Sequence, residues 1–244
     1  MSDISKAVDL IRGTKGTEVI LSVFREKTSE LIDIPIIRNT IKIISSQLYF
    51  EEKNGQKIAV IELTNFNTDT DYLLSQNIVE ILKENPDGIV LDLRGNPGGY
   101  IDQAVNIASH WIQKNKVVVS EKYNDDHQII HKANGNAELA KFETVVLINS
   151  GSASASEILA GALGDYGLAQ ILGEQSFGKG SVQSVTPFDD GSSLRLTVAR
   201  WYTPDGHEIN GKGITPDIEI ELTEEDWNGD KDPQLDRAFE ILNK

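Results

Sequence analysis

The segment Asn149-Ser150-Gly151-Ser152-Ala153-Ser154-Ala155-Ser156-Glu157-Ile158 sets small hydroxyl residues between an apolar run, Val145-Val146-Leu147-Ile148, and a helical pattern from Ala155 to Leu163. A serine at such a strand-to-helix turn sits where unpaired backbone N–H groups and the helix dipole favour developing negative charge. Capping the helix needs only one of Ser152, Ser154 and Ser156, and the alanines between them leave room for a substrate backbone. Further along, Phe177-Gly178-Lys179-Gly180-Ser181-Val182-Gln183 pins a lysine between two glycines just ahead of a strand pattern. A serine nucleophile served by a neutral lysine is an alternative to the Ser-His-Asp triad. Ser154 with Lys179 is the expected pairing.

A lysine can act as general base only when its amine is neutral, so Lys179 is expected to be buried, where the charged form is disfavoured. Gln183 lies four residues on, in the strand. It can accept an N–H from the amine and aim it at the serine without adding a charge that would hold the lysine protonated. Gly98, in the turn Arg94-Gly95-Asn96-Pro97-Gly98-Gly99, is expected to direct its backbone N–H at an oxyanion, partnered by the N–H of Ala155. His110, His127, His131 and His207 show neither triad nor metal-ligand spacing. The chain has no cysteine, which excludes disulfides, a thiol nucleophile and Cys-ligated metals. No metal or organic cofactor is expected, and activity should be indifferent to chelators.

These residues must be held by a scaffold, and the pattern from Ile58 onward is strand–helix alternation. Strands are expected at Ile58–Leu63, Ile89–Leu93, Val117–Glu121, Gln128–Lys132, Val145–Ile148, Ala169–Leu172, Val182–Val185 and Ser193–Ala199. Between them, a helix capped by Asp69 or Asp71 carries Leu74, Ile78, Ile81 and Leu82, and a second carries Ile101, Ala104, Val105, Ala108 and Ile112. Asp232-Pro233 opens a last helix with Leu235, Ala238, Phe239 and Leu242. The class is α/β with a mixed sheet. Ahead of it, Ser5–Ile11 reads as a short helix, Thr17–Arg25 as a half-buried strand, and Ile34–Ile43 as an edge strand interrupted by Pro35. That is too little to form a core of its own.

The net charge of −15 over 244 residues disfavours nucleic acid and anionic membrane surfaces. No apolar run is long enough to span a bilayer. The first residues lack the basic and apolar regions of a secretion signal, which suits a cytoplasmic chain or one without its native start. Glu224-Glu225-Asp226 reads as a solvated face.

From about Ile58 to Glu221 the chain resembles the C-terminal processing peptidase, or tail-specific protease, family. The resemblance is carried by Leu91-Asp92-Leu93-Arg94-Gly95-Asn96-Pro97-Gly98-Gly99, by Ser152 to Ile158, by Gly173 to Gln183, and by Tyr202-Thr203-Pro204-Asp205-Gly206 with Gly213-Ile214-Thr215-Pro216-Asp217. It implies a crotonase- or ClpP-like core with the nucleophile at Ser154, the base at Lys179 and the orienting amide at Gln183. The family's second proposed acidic partner falls on Asp165, read here as structural. Ser5–Arg25 resembles only the last helix and strand of the family's PDZ domain, and the carboxylate-binding loop is not recognisable. The implied organisation is a partial PDZ-like segment and linker over 1–43, a catalytic core over 44–222 and a C-terminal helical tail packing on the core over 223–244. The implied setting is extracytoplasmic, with protein or peptide substrates and scope for a homo-oligomer.

The expected function is therefore a serine endopeptidase acting through an acyl-enzyme on unfolded proteins or C-terminal regions. Its rival is a catalytically silent peptide-binding module of the same fold. A crotonase-like acyl-CoA enzyme would also pair helix-start N–H groups with a glycine, but leaves Lys179 and Gln183 without a role.

Overall fold

Strands buried on both faces show no polar alternation, and the apolar runs at Val90, Val146 and their neighbours become such strands in the computed structural model. Residues 4–25, 30–40, 44–53, 55–124, 127–229 and 231–243 are described. They fall into two compact units, Met1–Ile43 and Ile44–Lys244.

The first unit is a helix and a hairpin. Helix α1 (Ile4–Ile11) precedes β1 (Glu18–Arg25), which pairs antiparallel with β2 (Glu30–Ile37), Pro35 lying opposite Ile20. Val19, Leu21 and Val23 are half-buried on one face of β1, matching the expected alternation. The second strand lies earlier than the Ile34–Ile43 expected for it, because Pro35 is tolerated inside an edge pairing. Arg38 closes the unit: its guanidinium donates to the Leu10 and Ile11 carbonyls at 3.1 and 2.7 Å, satisfying acceptors left open at the end of α1.

The second unit is built on a six-stranded sheet with the order β12-β9-β8-β5-β4-β3. Its strands are β3 (Ser46–Lys53), β4 (Gln56–Leu63), β5 (Gly88–Asp92), β8 (Glu143–Ile148), β9 (Gln170–Gly173) and β12 (Ile218–Glu219). All neighbours are parallel except β3 with β4. Alternate residues divide between two cores. Ala59, Ile61, Leu63, Ile89, Leu91, Val146 and Ile148 face α2 (Thr70–Glu84), α3 (Ile101–Ala108) and α4 (Ala155–Asp165). Ile58, Val60, Val90, Val145 and Leu147 meet Ala238, Phe239 and Leu242 of α6 (Pro233–Leu242). The six-stranded sheet is therefore covered on both sides. A separate four-stranded antiparallel sheet, ordered β10-β11-β6-β7, joins β6 (Val117–Asn124), β7 (His127–Lys132), β10 (Ser181–Pro187) and β11 (Ser193–Tyr202).

Two local expectations are corrected. Asp69 occupies the N-cap of α2 but makes no side-chain cap bond, and Thr70 Oγ1 instead accepts the Asn67 N–H at 2.9 Å. Helix α3 stops at Ala108, where Ser109 Oγ turns back to the Val105 carbonyl at 2.7 Å. Glu224-Glu225-Asp226 faces solvent as expected, with Glu224 and Glu225 exposed, and forms the first turn of a short helix, α5 (Glu224–Asn228), capped by Thr223. Asp232 also caps α6 as expected, accepting from the Leu235 N–H at 2.9 Å.

Candidate active site

The chain leaves β8 at Ile148 and enters α4 at Ala155 through a turn braced from both ends. Asn149 Oδ1 accepts the N–H groups of Gly95 at 2.8 Å and Gly151 at 3.0 Å. Ser152 Oγ donates to the Leu93 carbonyl at 2.7 Å and accepts from the Asn149 N–H at 3.0 Å. Ser156 Oγ donates to the Asn96 carbonyl at 2.9 Å. Both flanking serines are fully buried and spend their hydroxyls on the neighbouring turn. Ser154 differs. It is the N-cap of α4, its hydroxyl makes no cap hydrogen bond, and its backbone is left-handed, with φ 58° and ψ −115°. A non-glycine residue held there is strained, a state that persists only where the surroundings fix it.

Glu157 is what fixes it. This fully buried carboxylate accepts the Ser154 N–H at 2.7 Å, the Ser176 hydroxyl and the Gly178 N–H at 2.6 Å each, and the Lys179 N–H at 2.9 Å. The same atom, Oε2, takes the Ser154 and Lys179 amides, so one side chain ties the two backbones together. The Glu157 N–H in turn donates to the Ser154 backbone carbonyl at 2.9 Å. Sequence reasoning gave Glu157 no role. Ser154-x-x-Glu157 is a capping-box signature that could have marked it, but the three donors from 176–179 are long-range.

The glycine turn presses on the same point. A side chain at Gly98, which has φ +95°, would lie 2.7 Å from Ser154 Cβ and 2.8 Å from the Ala155 nitrogen, so only glycine fits. The Gly98 N–H is donated to Asn96 Oδ1 at 2.9 Å in this structure. Asn96 is buried and is itself anchored, Nδ2 donating to the Leu63 carbonyl at 2.7 Å. Ala155 is buried at the first position of α4, where an N–H has no intrahelical acceptor.

The lysine loop departs from expectation in one respect. Lys179 is exposed rather than buried, although its backbone is held by Glu157. Gln183 is also exposed, opposite Thr197 in the β10–β11 pairing and beside a bulge at Val182/Gln183. Asp165 is spent elsewhere, accepting the Asp205 N–H at 2.8 Å and approaching His207 Nδ1 at 3.3 Å, which braces the Thr203–His207 turn. Arg94 anchors the glycine turn to α6. Its guanidinium meets Asp92 at 2.6 Å, Asp232 at 2.8 Å and Gln234 at 3.0 Å. Burial works against the charge on Arg94, but the two carboxylates outweigh it and raise its pKa. Burial likewise pushes the Asp232 carboxyl up, and the Arg94 hydrogen bond brings it below the usual range.

Residues 57–220 match the model of peptidase family S41. The chain belongs to peptidase family S41. Over 220 residues it is 40% identical to the carboxy-terminal processing protease CtpA of Bacillus subtilis (strain 168), covering 90% of this chain and 46% of that protein. It is 42% identical over 219 residues to the probable CtpA-like serine protease of Staphylococcus aureus (strain COL), covering 89% of this chain and 43% of that one. The S41 chain thus spans under half the length of these relatives. Among solved structures, the photosystem II D1 C-terminal processing protease superposes with a TM-score of 0.72 at 31% identity, over 89% of this chain and 59% of that one. Mature CPAF, at 12% identity and a TM-score of 0.63, shares the fold, covering 93% of this chain and 66% of that one. Ser154, Lys179, Gln183, Gly98, Ala155 and Glu157 all lie inside the matched span.

Proposed function

We propose that this S41 chain is the catalytic part of a serine endopeptidase that cleaves unfolded proteins or protein C-terminal regions through a Ser154–Lys179 dyad. The observation that carries the reading is the division of labour among the serines: Ser152 and Ser156 are hydrogen-bonded to the glycine turn, while Ser154 is strained and uncapped at the helix start. Neutral Lys179 takes the Ser154 proton, and Oγ attacks the peptide carbonyl. The Ala155 N–H meets the oxyanion, joined by Gly98 once its N–H leaves Asn96 Oδ1. Lys179 passes the proton to the leaving amine, and water then releases the acyl group from Ser154. Gln183 orients the amine. A substrate lying over the loop would shield Lys179 and supply the desolvation that the exposed side chain lacks here. An extracytoplasmic setting accords with this activity, and no helix among the described residues is long and apolar enough to cross a membrane.

The exposure of Lys179 and the engaged Gly98 N–H favour one other reading, a silent peptide-binding module. Cleavage of an unfolded protein by Ser152→Ala, Ser154→Ala and Ser156→Ala variants separates the two. The peptidase reading expects loss with Ser154→Ala at a nearly unchanged Tm. It fails if Ser154→Ala cleaves like wild type, or if wild type neither cleaves nor reacts with a fluorophosphonate at Ser154.

A further inference from the structure

Exposed apolar side chains are common on a protein surface and bear on recognition only where they stand beside a site. Two such side chains sit on the two loops that close around Ser154. Tyr100 is 60% exposed and Phe177 is 67% exposed. Tyr100 follows the Gly98-Gly99 pair and is the N-cap of α3. Its backbone is fixed, since its N–H donates to the Phe66 carbonyl at 2.9 Å and the Phe66 N–H donates to the Gly98 carbonyl at 2.9 Å. Gly98 in turn lies against Ser154 and Ala155. Phe177 is set equally firmly: its N–H donates to the Ser152 carbonyl at 3.0 Å, and the next two amides bind Glu157. These bonds fix the backbones of Tyr100, two residues after the Gly98 that presses on Ser154, and of Phe177, bonded to Ser152 two residues before Ser154.

Neither ring is among the partly buried hydrophobics packed against the two cores. The N-cap of α3 makes no side-chain cap bond through Tyr100, and the loop at Phe177 is held through its backbone. A tyrosine and a phenylalanine offer rigid apolar area at little entropic cost, which suits them to gripping an extended chain. The net charge of −15 repels acidic segments, leaving neutral or basic apolar segments as the favoured occupants.

We propose that Tyr100 and Phe177 are specificity-determining residues that grip apolar side chains flanking the peptide bond presented to Ser154. The proposal rests on the peptidase reading and narrows its substrates to apolar stretches of unfolded polypeptide. The test uses two peptides identical except for leucine or serine on each side of the cleaved bond, with kcat and KM measured for both. Wild type should prefer the leucine peptide by roughly tenfold or more, the scale on which apolar pockets discriminate. Tyr100→Ala and Phe177→Ala should each erase most of that preference, chiefly by raising KM for the leucine peptide. Tyr100→Phe and Phe177→Leu should retain it, because they keep the apolar area. The proposal is overturned if the alanine variants keep the wild-type preference, or if they slow both peptides equally. Ser154→Ala run alongside keeps the two ideas apart. If it cleaves like wild type, the serine mechanism is wrong; if it is dead while the alanine variants keep the preference, only the grip is wrong.

Discussion

Glu157 has no way to reach the substrate, yet it gathers four donors around the nucleophile and the lysine loop. Replacing one carboxylate oxygen by an NH2 group would set donor against donor inside a fully buried site. Glu157→Gln should therefore lower stability by about 1–3 kcal/mol, the usual cost of a buried polar group without its partner. It should also lower kcat by roughly 100-fold, because small displacements of the Ser154 backbone and the Lys179 loop spoil the attack geometry. Chemical denaturation and single-turnover kinetics read the two effects separately; unchanged kcat with reduced stability would make Glu157 purely structural. The serine triplet and Gly-Lys-Gly stand out in the sequence because capping a helix needs only one of the three serines and a lysine is set between two glycines. What could not be read was which backbone groups were already spent. Asn96 looks like an ordinary turn residue, and only the fold shows it accepting the Gly98 N–H.

Among the elements, the glycine turn and α6 are coupled through Arg94, which binds Asp92 of β5 and Asp232 at the start of α6. Asp232→Ala removes the α6 cap and leaves Arg94 with one carboxylate, so both the helix and the turn should loosen. The Asp232 carboxyl is held below its ordinary range in the folded state, so its contribution is present at neutral pH and lost as pH falls through the folded value. Wild type should thus lose Tm towards acid more steeply than Asp232→Ala; parallel acid profiles would count against the coupling. Phe239→Ala, which opens a cavity between α6 and the sheet, should cost about 3–5 kcal/mol without changing kcat of the folded fraction. The parallel strands were legible because runs such as Val145–Ile148 carry no polar residue. Strand β3 was not, since Glu51 and Glu52 interrupt its pattern on an edge that faces only one neighbour. The burial expected of Lys179 failed for a related reason: the flanking glycines that suggested close approach act through their backbones, and the side chain stays outside.

Across the whole molecule, His110 links α2 to the loop after β7, its ring nitrogens meeting Asp71 at 3.2 Å and Glu138 at 2.8 Å. Burial disfavours its charge, but the two carboxylates prevail and its pKa is raised. The stabilisation it contributes is therefore full below the ordinary histidine value near ~6.5 and lost as pH rises through the folded value. His110→Gln should flatten the fall in Tm over that window, and a fall of equal size in the variant would assign it to other groups. The catalytic claim is independent of that switch and rests on one proton transfer from Ser154 to Lys179. Arginine keeps the positive charge and cannot give up its proton, so it separates a base from a mere cation. The decisive measurement is kcat/KM on an unfolded protein for wild type, Lys179→Arg and Lys179→Ala. The dyad predicts that both variants are as inactive as Ser154→Ala. An active Lys179→Arg enzyme would contradict it, removing the lysine from the chemistry.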